Sequence, residues 1–236
     1  MFSKLFSLIL PGATWRDRGS ATVGAFLGIF LTGAISYQFV ASAPGLSLLI
    51  APMGASAVLL FAVPSSPLAQ PWPVLGGNVI SSLVGMGCAQ MIADPALAAG
   101  SAVGLAILVM SLLRCLHPPG GATALLAVVG EPAIADAGLS FAVLPVALNS
   151  LLMIAAAWVF HKFSRHSFPH RGNHVPADEM PLAMTDGFRE EDFQAGLADM
   201  HEAFDIDTDD LKELLRRIES HAAARRELPE GASRKG

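Results

Sequence analysis

The sequence predicts an all-α membrane protein of two repeats, each holding a helix interrupted by proline and glycine, with a small cytoplasmic helical tail. Three observations carry that prediction. Of the 236 residues, 53% are hydrophobic and the mean hydropathy is +0.51, too apolar for a soluble chain of this length. Charge is partitioned: from Ser20 to Phe160 the only Asp, Glu, Lys or Arg residues are Asp94, Arg114, Glu131 and Asp136. And one short motif, P-x-G-A-[ST]-A-[VL]-L, occurs twice, at Pro52–Leu59 and at Pro119–Leu126.

Residues 1–18 read as an N-terminal interfacial segment. A short apolar run is followed by Pro11, Gly12 and Trp15-Arg16-Asp17-Arg18, without the small-residue cleavage site of a secretory signal. The membrane domain covers 19–166. A spanning helix needs about 20 apolar residues, and segments 19–40, 74–92, 98–116 and 139–160 meet that standard. Segment 46–63 is long enough but carries Pro52 and Gly54 near its middle. Segment 119–129 reaches only about 16 Å at 1.5 Å per residue, roughly half the hydrocarbon core. Each motif is followed by a Pro-Val pair (Pro73-Val74, Pro145-Val146) and then by Asn78 or Asn149, the pattern of an internal duplication. Gly/Pro-interrupted apolar segments in corresponding halves point to a transporter-type site.

Lys4, Arg16 and Arg18 precede the first span, and Lys162, Arg165 and Arg171 follow the last. The positive-inside rule then puts both ends in the cytoplasm of a bacterial-type inner membrane, with an even number of crossings. Four crossings with two re-entrant segments imply parallel repeats, and six crossings imply inverted ones; the sequence leaves both open. Residues 167–187 form a polar linker. In 188–236, Phe193, Leu197, Met200 and Phe204, then Leu211, Leu214, Leu215 and Ile218, recur at helical spacing and predict a hairpin. Asp207 or Thr208 suits the N-cap of its second helix. Asp205 to Asp209 imitates a calcium loop but has Asp210 and Arg216 where glycine and glutamate are required.

The chemistry centres on His117-Pro118-Pro119-Gly120-Gly121-Ala122-Thr123 and on Pro52-Met53-Gly54-Ala55-Ser56. Proline suits a helix's first turn, and a helix start leaves N–H groups unpaired and carries about half a positive charge. Gly54, Gly120 and Gly121 would let an anion approach, while Ser56 and Thr123 add hydroxyl donors. Tight helix packing is the competing account of the small residues, but it does not explain the prolines. Arg114 either faces the interior beside a partner or snorkels to an interface. His117 either meets an anion and relays a proton or is a hydrogen-bonded structural group. Gln70 is a vestibule candidate, and Asn78 and Asn149 are candidates for polar support.

No triad order, nucleotide loop or carboxylate pair appears in the apolar region, so no enzyme and no cofactor is expected. The spacing of His161, His166, His170 and His174 fits no metal site. Cys88 and Cys115 read as small hydrophobes. The net charge of −5 belongs mostly to the tail and suggests no nucleic-acid partner.

With these residues in view, residues 15–170 resemble the HPP family of integral membrane proteins. The carrying features are His117-Pro118-Pro119-Gly120-Gly121-Ala122-Thr123-Ala124-Leu125, Gly54-Ala55-Ser56-Ala57-Val58-Leu59-Leu60-Phe61, Ser66-Pro67-Leu68-Ala69-Gln70-Pro71, Gly76-Gly77-Asn78 and Gly85. Phe168-Pro169-His170 is similar to the family's Tyr-Pro-His ending. Asp192-Phe193 and Asp205-Ile206-Asp207 resemble the linker that precedes paired CBS domains in many bacterial members, and the sequence stops before any such domain. Plant and cyanobacterial relatives are associated with nitrite transport, so the resemblance implies an anion transporter or channel. The expectation is a homo-oligomer in the lipid bilayer carrying a small inorganic anion, nitrite foremost. The alternative is a membrane scaffold or sensor acting through its tail.

Overall fold

The computed structural model describes residues 15–40, 49–130, 132–164 and 166–170, alternate residues from 191 to 199, and 206–227. The chain divides into two compact units, Met1–His170 and Arg171–Gly236. Among the described residues there is no strand, and four helices are long and apolar enough to cross a membrane.

The first unit opens with α1 (Trp15–Val40), followed by the short α2 (Pro52–Ala62) with Pro52 in its first turn. A 3₁₀ turn over Pro67–Ala69 leads to α3 (Pro71–Met91). Asp94 accepts from Leu97 N at 2.7 Å and caps α4 (Pro95–Leu112). After a five-residue turn comes the short α5 (Pro118–Val129), with His117 in extended conformation at its N-cap; the residue before a proline is pushed out of the helical region. A single short helix, α6 (Pro132–Ala137), then precedes α7. Helix α7 runs over Leu139–His161 with a wide π-type turn at Ala142–Ala147, broken where Leu144 goes extended before Pro145. The α4–α5 turn closes with two bonds, Cys115 N to Met110 O at 2.9 Å and Arg114 N to Ser111 O at 3.2 Å. That pairing is the Schellman end, which needs a left-handed residue; here Arg114 takes it, at φ 54.

Contacts fix the direction of each element. A Cβ on Gly24 or Gly28 would meet Phe61, and one on Gly33 would meet Leu49, so α1 and α2 are antiparallel. Asn149 reaches Ile50 and His161 reaches Leu60, so α2 and α7 are parallel. Gly77 approaches His117, and Gly85 approaches Ala124, so α3 and α5 are parallel. Trp72 Nε1 donates to Leu113 O at 3.1 Å, bringing the start of α3 to the end of α4. Gln70 Oε1 accepts from His170 N at 2.8 Å, which places the start of α3 beside the end of α7. The six elements α1, α2, α3, α4, α5 and α7 therefore alternate in direction.

One end of this bundle gathers Trp15, Trp72 and Trp158 with Arg16, Arg18, Arg114 and Lys162. Lys162 lies 3.6 Å over the Trp158 ring, and Arg18 lies 5.0 Å over Trp15. Amphipathic rings and basic groups belong at a membrane–water interface. At the other end stand Asp94 and Asp136. Two apolar cores lie between: one around Met53, Leu60, Phe61, Phe141, Val146 and Met153, the other around Ala102, Ala106, Met110 and Ala124. In the second unit, Asp207 accepts from Asp209 N at 2.9 Å and starts α8 (Thr208–Glu227). Lys212 stands 5.4 Å over the ring of Phe193, which joins the helical residues of 191–199 to α8.

Candidate functional site

The two short helices divide their motifs in the same way. In α2, Pro52, Met53, Ser56, Ala57 and Leu60 are buried, while Ala51, Gly54, Ala55, Val58 and Ala62 are exposed. In α5 the matching positions follow suit. Pro119, Gly120, Thr123, Ala124 and Ala127 are buried, whereas Pro118, Ala122, Leu125 and Val129 are exposed and Gly121 is half-buried. A helical repeat of 3.6 residues turns each motif into a packing face and an open face. The Gly-Ala steps lie on the open one. A Cβ on Gly54 would meet nothing within 4 Å, and one on Gly121 only Val103, at 4.0 Å.

The packing faces carry three polar locks. Ser56 Oγ lies 2.8 Å from His117 Nε2, and His117 Nδ1 lies 2.9 Å from the Leu68 carbonyl. A carbonyl only accepts, so Nδ1 carries the hydrogen and neutral Nε2 accepts from the Ser56 hydroxyl. His117 is 0% exposed, with both ring nitrogens engaged. Thr123 Oγ1 donates to Asn78 Oδ1 at 2.8 Å, and Asn78 Nδ2 donates to Val74 O at 2.9 Å. Asn149 Oδ1 accepts from Ile50 N at 3.1 Å, and its Nδ2 donates to Ser36 Oγ at 2.9 Å. The arrangement is reciprocal: the asparagine of α3 secures the α5 short helix, and that of α7 secures the entry to α2.

Other candidates lie apart from these locks. Arg114 is exposed in the α4–α5 turn. Gln70 holds its own loop as a clasp, donating to Ser66 O at 2.8 Å and Pro64 O at 3.0 Å while accepting from His170 N. The helix starts also differ from the expectation of unpaired N–H groups. Met53 N and Gly54 N bond to Ile50 O and Ala51 O, and Gly120 N bonds to His117 O at 2.8 Å. Prolines 52, 118 and 119 have no N–H at all. What each start offers is the positive end of its dipole, with few free donors.

No local pattern marks Ser36, the Leu68 carbonyl or the His161 bond to Leu60 O at 2.8 Å. Thr32 is also buried, at 1% exposure, and its hydroxyl has no partner among the described residues. Among those residues no three His, Cys, Asp or Glu side chains gather as a metal site would require.

Such a bundle, with two short antiparallel helices held inside by buried amides and an imidazole, defines a polytopic α-helical membrane protein. The chain belongs to the HPP family, whose transmembrane region matches residues 10–169. Two relatives from Dictyostelium discoideum, both named transmembrane proteins, share 36% identity over 159 residues and 34% over 157. The matches cover 65% of this chain in each case, and 55% and 50% of the relatives. The chain thus spans about half the length of the curated relatives it matches. No solved structure matches it.

Proposed function

We propose that this chain is a transporter or channel for a small monovalent anion, nitrite foremost, and that the open faces of α2 and α5 wall the path. One observation carries the reading. The second turn of α2 meets the N-cap of α5 through Ser56 and His117 at 2.8 Å, which sets two positive dipole ends side by side. Each is worth about half a charge, and neither α2 nor α5 contains an Asp or Glu to compensate. An anion beside both starts, on their open faces, relieves that repulsion. The non-helical entries to α2 and α5 are tolerated at membrane depth only against protein or a water-filled cavity, and the open Gly-Ala steps beside them fit the wall of an aqueous path. Arg114 stands exposed at the tryptophan-bearing end and serves as an attractor at the mouth.

The alternation of directions supports six passes arranged as two inverted halves, with the tryptophan-bearing end and both termini in the cytoplasm of a bacterial-type inner membrane. The rival reading, a scaffold or sensor working through its tail, draws support from the separate compact unit Arg171–Gly236. Nitrite uptake into proteoliposomes separates the two. The anion reading predicts saturable flux that Arg114→Gln lowers and deletion of 180–236 spares. Flux no greater than in protein-free vesicles, from folded protein, contradicts it.

A further inference from the structure

His117 has both ring nitrogens bonded and no counterion among the described residues. Its surroundings are α2, the loop 63–70, α3, α4 and α5, and none of these segments contains an Asp, Glu, Lys or Arg. The only other titratable side chains they and the α4–α5 turn bring are the buried thiols Cys88 and Cys115 and Arg114, which is exposed. Protonation at Nε2 would force the Ser56 hydroxyl to turn its hydrogen away, since the imidazolium only donates. It would also set a cation at the positive end of the α5 dipole, within an apolar interior that penalises unpaired charge. The charge becomes tolerable when a negative ion arrives at the same helix start.

We infer that His117 takes up a proton together with the transported anion and returns it when the anion leaves, so that the chain moves one proton with each anion and no net charge. The inference rests on the anion reading of this site and adds its coupling. The proton adds to Nε2 from the side the anion enters, the Ser56 bond reverses, and both ions depart on the far side. Reversal changes the only side-chain bond joining α2 to α5 among the described residues. Proton and anion occupancy thereby bear on how the two short helices sit.

The test uses the full chain in proteoliposomes with a pH-sensitive dye inside and the potential set by potassium and valinomycin. Nitrite entry should carry acid equivalents inward, accelerate with an inward proton gradient, and ignore the imposed potential, all relative to protein-free vesicles. In weakly buffered detergent solution, nitrite should draw one proton per chain onto the wild type and none onto His117→Gln. That amide can still donate to Leu68 O and accept from Ser56. Flux that follows the potential and not the proton gradient overturns the coupling alone, as does proton uptake equal in both proteins. Should His117→Gln fail to fold, absence of proton uptake by the wild type is enough to overturn it. Absence of any flux from folded wild type overturns the anion reading, and the coupling with it.

Discussion

At the scale of single residues, the interior is organised by buried amides and hydroxyls that bond to one another and to backbone carbonyls. Thr123 Oγ1 and Asn78 Oδ1, 2.8 Å apart and both 0% exposed, form one such pair. Thr123→Val keeps the shape but strips Asn78 Oδ1 of its donor, and a buried orphan costs about 1–3 kcal/mol. Thr123→Ser should restore the bond. The expected outcome is a clear loss of thermal stability in detergent for the valine variant and a small one for serine; equal losses would point to the methyl group instead. Asn78 and Asn149 were legible in the sequence as polar residues recurring after a Pro-Val pair. Their partners were not, because Asn149 meets Ser36 across 113 positions and no local pattern reports such a contact. His117 was legible as a residue of interest, but its neutral, doubly engaged state depends on the carbonyl of Leu68, 49 positions away.

At the scale of elements, the short helices and the spans appear close to where hydropathy put them, since length and proline placement are local properties. Which side of each motif faces inward is decided by the neighbours. Glycine roles divide accordingly. A Cβ on Gly77 would lie 2.6 Å from His117 Cβ and 2.8 Å from the Cys115 carbonyl, and one on Gly85 would strike the Ala124 carbonyl. Backbone cannot yield as a side-chain tip does. Gly77→Ala and Gly85→Ala should therefore each cost about 1–3 kcal/mol or more, while Gly54→Ala and Gly100→Ala, with nothing within 4 Å, should fold like the wild type. Melting temperatures of the four variants check this.

Helix α8 supplies a second test at this scale. Bonds from Arg216 and Arg217 hold the Glu213 carboxyl down at about 2, with Arg216 Nε at 2.7 Å and Arg217 Nε at 2.6 Å. A lowered carboxylate stabilises the helix fully above its ordinary value of about 4.3 and loses that contribution as pH falls toward the folded value. Carbon-detected titration of Glu213 should show a midpoint near that low value, returning to the ordinary range in Arg216→Gln/Arg217→Gln. An ordinary midpoint in the wild type would remove the pairing.

At the scale of the whole molecule, the sequence disclosed a membrane bundle, its motif pair and its basic flanks, but not whether the halves are parallel or inverted. That depends on the direction of α2 and α5, which a stretch of 11 or 12 residues cannot announce. Contacts such as those of Phe61 with α1 and of Gly85 with Ala124 fix those directions, and the proposed inverted halves rest on them. In the proposed function the open faces of these two helices wall an anion path. Ala55 and Ala122 sit on those faces, and Ala34 is also exposed, on α1. The decisive measurement is nitrite flux through proteoliposomes of Ala55→Trp, Ala122→Trp and Ala34→Trp, each shown to be folded. Tryptophan at position 55 or 122 should abolish saturable flux, and position 34 should tolerate it. Equal flux in all three, or none in the wild type, would contradict it.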